Sequence, residues 1–135
     1  MRAINYAYDN GCRNFYCGGA VGFDTLAARQ VILFRMSHPD VKLHLLLPCI
    51  NQDKNWKSSE VRRYEHTLAS ADTISYVSEE YTKDCMKKRN ERLVESCNIL
   101  IAYVNKEYSG AAQTVRIANK VGVEIYNLYP TLDKG

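Results

Sequence analysis

No apolar run in this sequence approaches the roughly 20 residues needed to cross a bilayer. The opening Met1-Arg2-Ala3-Ile4-Asn5-Tyr6 also lacks the apolar stretch of a signal peptide. A soluble, cytoplasmic protein without a membrane partner is therefore expected. Cysteine is sparse: Cys12, Cys17, Cys49, Cys85 and Cys97 form an odd set with no Cys-x-x-Cys spacing, and no two histidines stand at metal-ligand spacing. This favours reduced, mostly buried thiols over a disulfide or a zinc site, and neither metal nor cofactor is expected. Charge of one sign is missing as well. Eighteen basic residues face 15 acidic ones, the formal charge is +3, and the charges are spread over every segment. Such a balance favours an anionic ligand only weakly. His38, His44 and His66 are scattered, and no nucleophile, base and orienter come together in the sequence. His44 interrupts an apolar strand and reads as a satisfied structural residue.

What is present fits one compact domain. At 135 residues and 15.4 kDa the chain can bury roughly two-thirds of its unfolded surface. Linkers, repeats and low-complexity tracts are absent. Short apolar strands are predicted at Phe15 to Cys17, Val41 to Leu47 and Thr73 to Val77, with stronger ones at Ile99 to Val104 and Val123 to Leu128. The Ile99 to Val104 run is continuously apolar, as in a strand covered by helices on both faces. Between the strands lie helical stripes: Ala27, Val31 and Phe34, then Val61, Tyr64 and Leu68, then Val115, Ala118 and Val121 with Gly122 as a stop. A further helix over Asp84 to Ser96 carries Met86, Leu93 and Val94 among charged neighbours. Strands and helices in strict alternation, with connections too long for hairpins, imply right-handed crossovers and a mainly parallel sheet. The predicted fold is a three-layer, Rossmann-like α/β domain of about five strands spanning residues 1–135.

The sharpest motif is Gly18-Gly19-Ala20-Val21-Gly22-Phe23-Asp24-Thr25, lying between a predicted strand and a predicted helix. Glycines let a backbone approach an anion, and the first amides of a helix point at it with a favourable dipole. The same glycines also serve a plain tight turn. Asp24 either caps the helix beginning near Thr25 or holds a ribose or base. Tyr108-Ser109-Gly110-Ala111-Ala112-Gln113-Thr114 repeats the strand-to-helix setting, and Ser109 and Thr114 suit a phosphate or a helix cap equally. Two such turns at the carboxyl ends of parallel strands would face one crevice. In the basic stretch Cys85 to Arg92, Arg89 could grip a phosphate through paired bonds and Asn90 could meet a ribose or base edge, although charge runs are commonly solvated faces. The polar connection 51–59 after Pro48 is either a lid or a surface loop. Trp56 and Tyr64 offer rings for stacking, with core packing preferred for Tyr64.

These residues resemble the SLOG superfamily, and within it the small bacterial and phage proteins of the YpsA and YoqJ type. The resemblance spans nearly the whole chain. It is carried by Gly18 to Ala28, by Leu47-Pro48 with Trp56, by Arg62-Arg63-Tyr64-Glu65, and by Lys88-Arg89-Asn90 ahead of the segment Asn98 to Val104. It implies a Rossmann-like domain for a nucleotide or ADP-ribose-like ligand, bound through Gly18, Gly19, Ala20, Gly22, Asp24, Arg89, Asn90, Ser109, Gly110 and Thr114. Of two better understood relatives, the LOG-type phosphoribohydrolases cleave nucleoside monophosphates between base and ribose phosphate with an Arg and a Glu. Arg89 is similar to that arginine, but Gln113 and Thr114 stand where the hydrolase glutamates would, and Ala111 where threonine is usual. Glycosidic cleavage needs a carboxylate to activate water or stabilise developing charge, so a binding module is expected ahead of a hydrolase. A carboxylate such as Glu91 or Glu107 turned into the crevice would reverse that order. The other relative, DNA-processing protein A, binds single-stranded DNA; with Lys87 to Arg92 the only dense basic cluster, nucleic acid ranks third as a partner. Family members also open with a strand before the first helix, whereas Met1 already lies in that helix. A sheet lacking this strand suggests a homodimer that covers the gap.

Overall fold

The computed structural model describes residues 2–19, 23–50, 52–54, 56–102 and 110–127. In chain order the elements are α1 (Arg2–Asp9), β1 (Asn14–Cys17), α2 (Phe23–Ser37), β2 (Lys42–Cys49), α3 (Ser58–Ser70), β3 (Thr73–Ser78), α4 (Cys85–Ser96), β4 (Ile99–Ala102), α5 (Gly110–Val121) and β5 (Glu124–Asn127). Every pairing is parallel: β1 with β2 through Cys17↔Leu45, β2 with β3 through Leu47↔Tyr76, and β4 with β5 through Ile101↔Tyr126. The strands form two sheets, β1-β2-β3 and β4-β5. Among the described residues no strand pairs with the outer edge of β1 or of β4.

The core follows from the period-two pattern of β2. Leu43, Leu45 and Leu47 point to one face and are completely buried, each contributing roughly 2 to 3 kcal/mol of apolar burial. Against them lie Ala28, Val31 and Phe34 of α2, Ile4 and Ala7 of α1, Phe15 and Cys17 of β1, and Tyr64 of α3. The helix α4 lies against β1, β2 and β3 and also against α5, which packs on β4 and β5. This is Rossmann-like layering, with parallel strands alternating with helices.

Polar ties hold the amino-terminal ends of the strands. His44 bridges all three strands of the first sheet: Nε2 meets Asn14 Oδ1 at 2.8 Å, Nδ1 meets Thr73 Oγ1 at 2.6 Å, and the ring stacks on Tyr16. It is a satisfied structural residue. Asp72 Oδ2 accepts from the Leu43 amide at 2.8 Å and from Arg35 Nη1 at 2.7 Å, joining α2, β2 and the end of α3.

Several expectations change in detail. The strand β2 runs through Pro48 to Cys49, because β1 has already ended opposite Leu45 and β3 alone pairs beyond it. On α5 the buried face is Ala112, Thr114 and Ala118, while Val121 is 65% exposed, so the predicted stripe drifts off the core at its last turn. The helix stops at Gly122, whose φ of +81° an L side chain rarely adopts. Ile99, Leu100 and Ile101 are half-buried rather than enclosed. Positions 103, 104 and 128 of the predicted strands lie outside the described residues. All five cysteines are free thiols.

Candidate functional site

The strand β1 delivers the chain to Gly18 and Gly19, both buried. A Cβ on Gly18 would stand 2.6 Å from Arg89 Nη1 and 3.0 Å from Asp24 Oδ2. At Gly19, φ is +71° and a Cβ would stand 2.3 Å from Leu47 Cδ2. Both glycines are thus required by the protein's own packing at this turn. The helix α2 starts at Phe23, two residues earlier than the sequence suggested, so Asp24 lies inside its first turn rather than at the cap. An acidic side chain there suits the helix dipole.

Arg89 is the centre of the arrangement. It is 7% exposed. Its Nη1 donates to the Gly18 carbonyl at 2.5 Å and its Nε donates to Asn90 Oδ1 at 2.8 Å, while Nη2 lies 4.0 Å from the Met86 sulfur. Asn90, 4% exposed, donates in turn from Nδ2 to Gln113 Oε1 at 3.0 Å. A continuous chain of hydrogen bonds therefore runs from the exit of β1 through α4 to α5. Burial lowers the pKa of Arg89 and the Asp24 carboxylate works against that shift, leaving a guanidinium that stays protonated in any case. Burial, with the same carboxylate adding to it, pushes the Cys17 thiol up to about 12, which disfavours a thiolate there.

Within the described residues the structure brings together Gly18, Gly19, Asp24, Arg89 and Asn90, and places Thr114, 8% exposed, on the buried face of α5 beside Gln113 in sequence. Gly110 opens α5. Ala20, Gly22 and Ser109 lie outside the described residues. The basic stretch resolves into two parts: Lys87, Lys88 and Arg92 are exposed, while Arg89 alone among its cations turns inward. Glu91 lines a different hollow, between α4 and α5, with Val94, Cys97, Ile117 and Val121. Glu107 lies outside the described residues. The groups reckoned able to hold a metal, three or more of His, Cys, Asp and Glu, do not occur among the described residues.

Sequence reasoning missed one participant and undervalued another. Gln52, in the connection after β2, donates from Nε2 to the Gly19 carbonyl at 3.2 Å. Tyr64, 3% exposed, reaches the same turn, where a Gly19 Cβ would stand 3.5 Å from its Cε1. Burial raises the Tyr64 pKa to about 12, the neighbouring Gln52 amide opposing it. The half-buried Trp56 meets the Tyr64 ring edge-on at 5.0 Å. Only the polar composition of 51–59 hinted that Gln52 would reach the turn.

The YpsA family profile, described as the YspA SLOG family, matches residues 1–128. The chain is 28% identical over 130 residues to the uncharacterized SPbeta prophage-derived protein YoqJ of Bacillus subtilis (strain 168), covering 86% of this chain and 76% of that protein. It is 26% identical over 132 residues to a UPF0398 protein of Bacillus cereus (strain G9842), covering 95% and 72% respectively. A UPF0398 protein of Bacillus thuringiensis (strain Al Hakam) is 25% identical over 130 residues, covering 95% and 71%.

Proposed function

The chain belongs to the YspA SLOG family, and from that premise we propose that it binds a nucleotide or nucleotide-derived, ADP-ribose-like ligand at the carboxyl end of β1. One observation carries the reading. The bonds Arg89 to Gly18 and Asn90 to Gln113 draw the second turn of α4 and the first turn of α5 toward the exit of β1, near the start of α2. The first turns of α2 and α5 carry the partial positive charge of helix amino termini, and the Arg89 guanidinium adds a full one. Open α/β sheets bind ligands at this end of their strands. The phosphate end of the ligand is assigned to this corner, with Arg89, Asp24 and Thr114 around it.

A second reading is favoured by Asp24. Its carboxylate lies beside Arg89 at the Gly18 turn, which gives an N-glycosidic hydrolase the acid residue that position 113 lacks. Both readings meet in one experiment. The protein is heated in the presence of adenine, guanine and pyrimidine nucleotides, dinucleotides and ADP-ribose, and each mixture is then chromatographed for free base. At about 100 times the dissociation constant, a ligand adds roughly 2.7 kcal/mol to stability, a clear rise in melting temperature. The rise without base release is the expected result. Release of base establishes the hydrolase, and silence across the whole panel overturns ligand binding.

A further inference from the structure

Among the described residues, the Tyr64 hydroxyl is the buried side-chain polar atom left without a hydrogen-bond partner. The neighbouring Gln52 amide directs its described hydrogen bond to the Gly19 carbonyl. Buried polar atoms in proteins are almost always paired, and an orphan among them calls for an explanation. Phenylalanine would fill the same space without the cost of an unpaired oxygen. The Tyr64 ring lies at Gly19, where Gln52 also bonds, whereas Arg89 meets the neighbouring Gly18.

We propose that the Tyr64 hydroxyl is the reader of the ligand's nucleobase, donating to a ring nitrogen or carbonyl oxygen on the base edge. This rests on the nucleotide reading above. Charge decides which end of the ligand belongs here. The charged side chain acting on Tyr64 is Asp53, an acid, which disfavours phosphate, whereas Arg89 stands on the Gly18 side. A neutral, flat, acceptor-bearing group fits: Trp56 adjoins the Tyr64 ring and supplies an aromatic surface.

The test is Tyr64→Phe, which removes one oxygen from a packed ring. Calorimetric titrations of both proteins use AMP, GMP, CMP, UMP and, as a probe without a base, ribose 5-phosphate. The variant is expected to melt at or above the wild-type temperature. It should bind the preferred nucleoside monophosphate about tenfold more weakly, as for one lost hydrogen bond, and ribose 5-phosphate equally well. Equal nucleotide affinities in the two proteins overturn the assignment while leaving nucleotide binding intact. A matching loss for ribose 5-phosphate overturns it in favour of a sugar or phosphate contact. A wild-type protein that binds none of the nucleotides overturns the nucleotide reading itself, and this assignment with it.

Discussion

A methyl group at position 18 has no room. It would meet the Arg89 guanidinium at 2.6 Å and the Asp24 carboxylate at 3.0 Å, and Arg89 cannot withdraw without abandoning the Gly18 carbonyl and Asn90. Gly18→Ala is therefore expected to cost about 1 to 3 kcal/mol, the usual range for overpacking, read as a lowered urea midpoint. A change within 0.5 kcal/mol of zero, the usual spread for surface positions, would show that the guanidinium can yield. The glycine-rich turn was legible in the sequence, but its cause was not. The group that excludes a side chain at position 18 lies 71 residues away, beyond any local pattern. Arg89 itself is flanked by Lys88 and followed by Arg92, and composition gives no sign of which cation turns inward. Arg89 was singled out as a guanidinium suited to a phosphate, a choice that the family resemblance strengthened. Tyr64 was placed in the core correctly, while its unpaired hydroxyl depends on where Gln52 and Gly19 fall in space.

Between elements, Asp72 does the most joining for its size. Its carboxylate receives the Leu43 amide from β2 and Arg35 from α2, just after the end of α3. The amide bond is the main reason its pKa lies below the ordinary carboxylate value, with Arg35 adding to it. A depressed folded pKa contributes stability above the unfolded value, near 3.9, and that contribution is lost as pH falls through the lower folded one. Asp72→Asn should therefore be less stable than wild type at pH 7, and the gap should be smaller at pH 3 in urea titrations, narrowing as pH falls below the unfolded value. Asp40 and Asp84, also lowered, leave the variant a residual acid sensitivity. A gap of constant size at both pH values would refute the charged role. Element identities were legible because strand and helix periods differ and every connection is long. Faces were less so: α4 buries Cys85, Arg89, Asn90 and Val94, and leaves Met86 exposed. A helix whose inner face is polar inverts the rule that apolar residues mark the core.

At the scale of the molecule, the described strands fall into two sheets, β1-β2-β3 and β4-β5, and the outer edges of β1 and β4 have no described strand against them. Unpaired edges are templates for another chain, which gives the expected homodimer a physical basis. Light scattering at the concentrations used for binding should give twice 15.4 kDa, and a particle of 15.4 kDa would refute it. The parallel layering was legible from alternation alone; the division was not, because no local signal in β1 or β4 says which strand lies beside it. Across this division runs the hydrogen-bond chain from Gly18 through Arg89 and Asn90 to Gln113. Loading that link should stiffen the second sheet against the first. Amide exchange should accordingly slow along β4 and β5 when the corner at Arg89 is occupied, so that the report of an occupant is written in the second sheet.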